Sequence, residues 1–262
     1  MKKAILLLSI IFVLIYSLTA QNAYQVIKVT GTIKIVESGV SLSQGISFDD
    51  DNNLDFITTN ARAAVIHPSK GRFILMPNNS NIAYARANLT PSMSNISSRA
   101  GAMISKVDLS NFFSGDYVII DKSYIKISPN IFIMDNDNFF YIKYTYKDED
   151  IHKKLKYSND TLIINKSELF TIDGWPITNP NITKMELLYM SKEKGGSIYI
   201  NSFNPVFPDS KELLSEIEVI LKNFKDKSKE EIINELVNYI NEMYGKIDQT
   251  NVEKWLIDNN KI

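Results

Sequence analysis

Apolar and polar residues alternate along the segment 24–35. The apolar positions of this segment are Ile27, Val29, Gly31, Ile33 and Ile35. Lys and Thr occupy the positions between them. Because successive side chains of a strand point to opposite faces, the pattern predicts a strand with one buried face. The glycine in its middle predicts a bulge or a close approach of another part of the chain.

Short apolar runs separated by turn-forming residues follow this strand and return after position 116. The earlier runs are 40–42, 54–58, 63–66 and 72–76. The later runs, rich in Tyr, Phe and Ile, are 117–120, 124–127, 131–134, 139–146, 161–164, 185–190 and 197–200. Short strands at this spacing are typical of a β-sandwich or a small barrel, so the predicted fold is mainly β.

The pattern changes to a helical period after Pro208. Three helix-start signals pair Asp209 with Glu212, Ser228 with Glu231, and Thr250 with Glu253. Apolar residues recur at helical spacing after each signal. We therefore predict a three-helix C-terminal segment whose apolar faces dock on the β part or on a partner.

Composition divides the chain into regions. The segment 78–101 is rich in Asn, Ser and Ala and predicts a surface loop. The resulting plan has a signal peptide (1–20), a β module (21–80), a loop or linker region (81–116), a second β-rich region (117–207) and a helical tail (208–262).

The N-terminal residues carry the pattern of an export signal. Lys2 and Lys3 precede an apolar run, Ala4–Leu18, that is shorter than the roughly 20 residues needed to span a bilayer. Cleavage after Ala20 is predicted, with cleavage after Ala23 and an uncleaved anchor as alternatives. The expected product is a soluble periplasmic or secreted protein without a membrane span.

Composition also excludes several kinds of chemistry. The chain has no Cys, which excludes disulfides, thiol catalysis, Cys-based metal sites and a Cys-linked lipid anchor. Its 29 Lys and Arg residues are balanced by 30 Asp and Glu residues, for a formal net charge of −1. This balance gives no reason to expect a nucleic-acid partner.

Several features of the segment 24–79 occur together. They are a strand with a central glycine (Val29–Ile33), then Leu42 and Gly45, an Ala-rich strand around Ala63, and a turn before Phe73. In this combination the segment resembles the FecR-type periplasmic domain. The resemblance implies a small β-rich module used for protein–protein signalling across a cell envelope. It implies no catalytic residue.

Neither histidine lies in a catalytic or zinc-binding pattern. His67 precedes Pro68 in a predicted turn, and His152 lies among charged residues. The chain has no Gly-x-Ser-x-Gly elbow and no His-Glu-x-x-His spacing. Both histidines are therefore predicted to be exposed and non-catalytic.

Oxygen-bearing side chains alternate ahead of the predicted strand 54–58, as they do at the start of a calcium loop. The candidate ligands are Asp49, Asp51, Asn53 and Asp55. Leu54 stands where such a loop has Gly, and Asn60 stands where it has a bidentate Glu. An acidic, solvated turn is the favoured interpretation.

Two groups of aromatic residues are candidate ligand contacts. Phe140 and Tyr144 share one strand face with Ile142, which is typical of core packing, although an exposed stripe would suit the stacking of sugar rings. Trp175 lies in a Gly- and Pro-containing turn and is predicted to be exposed. It is the leading candidate for a ligand contact.

None of these patterns is a recognisable arrangement of catalytic residues. The sequence therefore predicts an exported, non-catalytic cell-envelope protein without a cofactor, which acts on another envelope protein in an accessory or signalling role. Two alternatives stay open. The first is a carbohydrate-binding protein that uses Trp175 or the face of Phe140 and Tyr144. The second is a hydrolase with two carboxylates about 5 to 10 Å apart across a cleft.

Overall fold

The computed structural model describes residues 23–78, 80–92, 101–177 and 181–262. The fold is mainly β with a C-terminal helical segment, which confirms the fold class that the sequence predicts. The described strands form five sheets, none of which closes into a barrel. The predicted signal peptide lies outside the described residues.

The described chain divides into two compact units. The first contains the residues up to position 92 together with Leu214–Lys227. The second contains the residues from 101 to Leu213 together with Ser228–Ile262. Each unit is therefore built from two separate stretches of chain.

The first unit contains two antiparallel sheets. Its elements are β1 (Tyr24–Thr30), β2 (Ile33–Ile35), β3 (Ser47–Phe48), β4 (Asn53–Phe56), β5 (Arg62–His67), β6 (Gly71–Leu75), β7 (Ile82–Tyr84), α1 (Ala85–Asn88) and β8 (Leu89–Pro91). The larger sheet has the strand order β3-β1-β5-β6-β8, and the smaller has the order β2-β4-β7. Tyr24, Ile33, Leu54 and Leu75 are among the residues of their common core.

Gly31 divides the predicted strand 24–35 into two strands of different sheets. Its φ is +76°, and a Cβ there would lie 3.1 Å from the Cα of Ala61. The close approach predicted from this glycine is confirmed. A register shift between Val26 and Lys28 buries both Val26 and Ile27, so the alternation of the sequence is not kept along β1.

The second unit is built around a five-stranded sheet. The described strands of the whole unit are β9 (Asp116–Val118), β10 (Lys122–Lys126), β11 (Phe139–Tyr146), β12 (Glu149–Lys154), β13 (Lys156–Ser158), β14 (Thr161–Asn165), β15 (Thr171–Ile172), β16 (Trp175–Pro176), β17 (Met185–Ser191) and β18 (Gly196–Val206). The large sheet has the order β12-β11-β17-β18-β9, and β9 pairs with β18 in parallel. A sheet of order β10-β14-β13 and the β15–β16 hairpin complete the β part. Two short helices, α2 (Lys106–Phe112) and α3 (Lys166–Leu169), connect the strands.

Three longer helices end the chain: α4 (Ser210–Asn223), α5 (Lys229–Met243) and α6 (Gln249–Asp258). The capping box of Ser228 and Glu231 is formed, as predicted. The third helix starts earlier than predicted, because the carboxylate of Asp248 accepts the backbone N–H groups of Thr250 and Asn251. Asp248, and not Thr250, satisfies the free amides of the first turn.

The predicted helical tail is divided between the two units. From Leu214 onward, α4 belongs to the first unit, where the Lys28 Nζ lies 2.7 Å from the Glu216 Oε1. Helices α5 and α6 belong to the second unit. There the side chain of Asn251 bonds to both backbone polar groups of Tyr124, at 2.7 and 3.2 Å. These contacts show that α4 and α6 dock on the β part of their own units.

One loop prediction and two strand predictions are wrong, and the first of these strand predictions is the run 40–42, which forms only an isolated bridge at Ser41. The region 81–116, predicted as a loop or linker, contains β7, α1, β8 and α2. The part from β7 to β8 is held in place by strand pairing and by the buried side-chain amide of Asn88. Neither interaction leaves a repeating pattern of apolar residues in the sequence. The run 131–134, predicted as a strand, is irregular. Among the described helices, none has the length and apolar character needed to cross a membrane.

Candidate functional site

Strand β11 runs through the five-stranded sheet with two different faces. Phe140, Ile142 and Tyr144 point to one side and are at most 2% exposed. They pack in the core of the second unit, which confirms the core interpretation of this stripe. Burial raises the pKa of Tyr144 to about 12, and its hydroxyl donates to the carbonyl of Leu169. This stripe is therefore closed to a ligand.

The opposite side of the same sheet carries a second group of aromatic and aliphatic side chains. We call it the aromatic face, and it consists of Phe139, Tyr141, Leu188, Met190 and Tyr199. The pairing of β11, β17 and β18 sets Tyr141, Leu188 and Tyr199 in one row. The next row pairs Phe139 with Met190. Tyr199 is 46% exposed, and the other four are half-buried.

Side-chain contacts hold the aromatic face in one arrangement. The Tyr141 hydroxyl donates to the Ser197 Oγ at 2.7 Å. The Tyr141 ring stacks on the His152 ring with centroids 5.7 Å apart. The Lys154 Nζ lies 3.9 Å from the centroid of the Phe139 ring, which is a cation–π contact. A partner would therefore meet rings whose freedom is already reduced, and this lowers the entropic cost of binding.

An ion pair borders the aromatic face. The Lys143 Nζ lies 2.8 Å from a carboxylate oxygen of Asp150. The hydrogen bond between them lowers the pKa of Asp150 and raises the pKa of Lys143. Both groups stay charged at neutral pH, so the apolar rows have a polar rim, as protein interfaces commonly do.

Trp175 stands apart from the aromatic face. It lies in the β15–β16 hairpin opposite Ile172, and it is 77% exposed. The predicted exposure is confirmed. The structure places no described residue of the aromatic face in a ring contact with it.

The calcium candidates do not converge on one point. The carboxylate of Asp51 pairs with Arg86, while the side chain of Asn53 bonds to Glu37. Asn53 and Asp55 belong to β4, whereas Asp49 precedes the turn before it. Among the residues that the structure describes, no three His, Asp or Glu side chains gather closely enough to hold a metal ion.

The two histidines have different environments. His67 is 2% exposed, so its predicted exposure is wrong. Its Nδ1 accepts the backbone N–H groups of Ser69 and Lys70, and its ring packs edge-on against Tyr24. The imidazole thus serves as the hydrogen-bond acceptor for two backbone N–H groups of the β5–β6 turn. His152 is exposed on β12, as predicted.

The sequence did not predict the aromatic face, because aromatic residues occupy both alternating sets of positions along β11. Phe140 and Tyr144 lie on one face of the strand pattern, while Phe139 and Tyr141 lie on the other face. The alternation of β17 supplies the missing signal. Leu188 and Met190 interleave with the buried Leu187 and Tyr189, so both strands are apolar on two faces.

Comparisons with known proteins do not assign this chain to a family. No family model matches the chain. No curated protein matches it either. A solved structure described as "Structural basis for Dscam isoform specificity" is similar at a TM-score of 0.20 and 9% identity, over 69% of this chain and 45% of the other. The chain thus spans less than half the length of that structure's chain, and a TM-score of this size assigns no common fold.

Proposed function

We propose that this is an exported binding protein of the cell envelope, without catalytic activity, which docks another protein on the aromatic face. The observation that carries the proposal is the set of aromatic and aliphatic side chains on the open side of the five-stranded sheet. Export rests on the N-terminal sequence pattern alone. The FecR-like interpretation of the first β segment is compatible with an accessory or signalling role.

The composition of the aromatic face favours a protein partner over a sugar. Sugar rings stack on aromatic side chains, whereas Leu188 and Met190 offer aliphatic surface between the rings. Tyr, Phe and Met are enriched at protein–protein interfaces, and Met adapts its shape to varied partners. Tyr199 is the most exposed ring of the face, and tyrosines often dominate binding energy.

Site-specific photo-crosslinking tests this proposal. A benzophenone amino acid replaces Tyr199 in the full chain, which is expressed in its own host and irradiated. A discrete crosslinked protein is expected, and Leu188→Asp should abolish the crosslink, because a buried carboxylate in the contact is costly. The melting curve of Leu188→Asp checks that the variant is folded.

The matched control is Tyr157, an exposed tyrosine of β13 in the three-stranded sheet of the same unit. The same benzophenone at position 157 should give no such product. Equal crosslinking from both positions, or a crosslink that survives Leu188→Asp, would count against the aromatic face as the docking surface.

Trp175 supports a second candidate function, carbohydrate binding. The observation in its favour is the exposure of 77% for an indole ring in a hairpin turn. An exposed indole is a stacking surface for a sugar ring. Affinity electrophoresis through gels containing envelope polysaccharide tests it. Retardation of the parent protein that disappears in Trp175→Ala would support the candidate, and equal mobility of the two would remove it.

A further inference from the structure

A cleft of about 590 Å³ opens in the second unit beside the β15–β16 hairpin. Its lining includes Lys122 of β10, Lys166 of α3, and Phe170 and Ile177, which flank the hairpin. Sites for small molecules usually have volumes of about 300 to 1,000 Å³. The cleft therefore has the size of a small-molecule site, and it is separate from the aromatic face.

Among the described residues, no carboxylate lies within ion-pair distance of two ammonium groups of the cleft, those of Lys122 and Lys166. Lys122 is exposed, and the Lys166 Nζ instead lies 5.7 Å from the centroid of the Phe207 ring. By contrast, Lys156, Lys192 and Lys143 each lie within 2.8 Å of a carboxylate oxygen in the same unit. Neither ammonium group forms an ion pair with a described acid, although Asp209 interacts electrostatically with Lys166.

Asp121 is the acidic group of the cleft, and its carboxylate already has two donors. The Ser210 hydroxyl donates to it at 2.9 Å, and the Trp255 indole N–H donates to the same oxygen at 3.4 Å. These bonds hold the carboxylate on the side of α4 and α6. The two lysines remain available to an anion from solution.

A ring contact and a backbone hydrogen bond hold the apolar residues of the cleft in place. Phe170 is buried, and its ring packs edge-on against Phe207 with centroids 4.9 Å apart. Ile177 is fixed next to it, because its N–H donates to the Phe170 carbonyl at 2.8 Å. An apolar body placed here would contact a preformed surface.

We propose that this cleft binds a small organic anion. The apolar body of the ligand packs against Phe170 and Ile177, and its acidic group lies by Lys122 and Lys166. The site is independent of protein docking on the aromatic face. The two proposals therefore fail or succeed separately.

Naphthalene-2-sulfonate is a suitable probe, and naphthalene-2-sulfonamide is its neutral counterpart. Titration of the full chain is followed by calorimetry and by amide chemical shifts. Saturable binding of the sulfonate is expected, with shifts confined to residues of the cleft. Lys122→Gln/Lys166→Gln should weaken binding about tenfold or more, because two favourable charge contacts are lost.

Lys106→Gln/Lys194→Gln is the matched control, since it removes the same charge from two exposed lysines of the unit outside the cleft. It should bind as the parent does. Raising the salt concentration should also weaken sulfonate binding to the parent, which tests the charge contact without any substitution. Absence of saturable binding, equal affinity for the sulfonamide, or shifts on the aromatic face would overturn the proposal.

Discussion

Gly245 has a backbone geometry that other residue types adopt only with strain. Its φ is +131°, and a Cβ at this position would lie 2.7 Å from the carbonyl oxygen of Asp116. The close approach exists because Lys246 extends the parallel pairing to Tyr117, with its N–H bonded to the Asp116 carbonyl at 2.8 Å. Gly245 thus lets the chain that follows α5 make a backbone contact with β9.

Gly245→Ala is expected to lower the free energy of unfolding of the second unit by about 2 to 4 kcal/mol, because of strain and overpacking. Urea denaturation followed by circular dichroism measures the loss. Gly196→Ala is the matched control, since a Cβ there meets no atom within 4 Å. Similar losses in the two variants would contradict the role assigned to the Asp116 contact.

Single side chains were predictable where one dominant property decides their position. The exposure of Trp175 followed from its turn, and the burial of Phe140 and Tyr144 followed from their alternation. His67 was not predictable in this way. Its burial depends on the turn after β5, where its Nδ1 accepts backbone N–H groups that otherwise lack an acceptor.

At the scale of elements, helix starts show how local hydrogen bonds set boundaries. The Asp209 carboxylate accepts the backbone N–H groups of Lys211 and Glu212 at 2.9 and 3.0 Å. These bonds lower the pKa of Asp209 below its usual value. Ionised Asp209 therefore stabilises the start of α4, and the sequence alone predicted this start.

The contribution of Asp209 depends on pH in a defined direction. Its folded-state pKa is lowered, so its charge contributes stability above the unfolded pKa of about 4 and loses that contribution as pH falls through the folded pKa. Asp209→Ala should lower the urea midpoint at neutral pH, and the difference should shrink in acid. Asp209→Asn retains a capping oxygen and should stay near the parent at neutral pH. A difference for Asp209→Ala that stays constant down to strong acid would contradict this account.

Strands were harder to predict than helices because their stability comes from partners far along the chain. β7 and β8 are only three residues long, too short to show a period, yet they pair with β4 and β6. The aromatic face illustrates the same limit. Its rows exist because β11, β17 and β18 pair in one register, and a pattern on one strand does not show that register.

At the scale of the whole molecule, each unit combines two distant stretches of chain. In the first unit, the ion pair of Lys28 and Glu216 joins residues 188 positions apart. Glu216 is buried, with 6% of its side chain exposed, and Lys28 retains 21%. Desolvation makes such a pair costly to break, because one charge is left without its partner.

Glu216→Gln is expected to destabilise the first unit by about 2 kcal/mol, since the variant removes the carboxylate that lies 2.7 Å from the partly buried Lys28 Nζ. Amide hydrogen exchange on β1 and α4 measures the loss and separates this unit from the second. Glu168→Gln is the control, because its pair with Lys156 is exposed and is worth no more than about 1 kcal/mol. Unchanged protection of β1 in Glu216→Gln would contradict the anchoring role.

The sequence by itself determined the mainly β class, the three C-terminal helices, the exposure of Trp175 and the burial of the Phe140 stripe. These features follow from local periodicity and from capping residues close in sequence. Tertiary structure alone decided that α4 completes the first unit, that Phe139 and Tyr141 join Leu188 in one surface, and that Lys122 and Lys166 line the same cleft. Each depends on contacts between residues far apart in sequence, which local patterns do not encode.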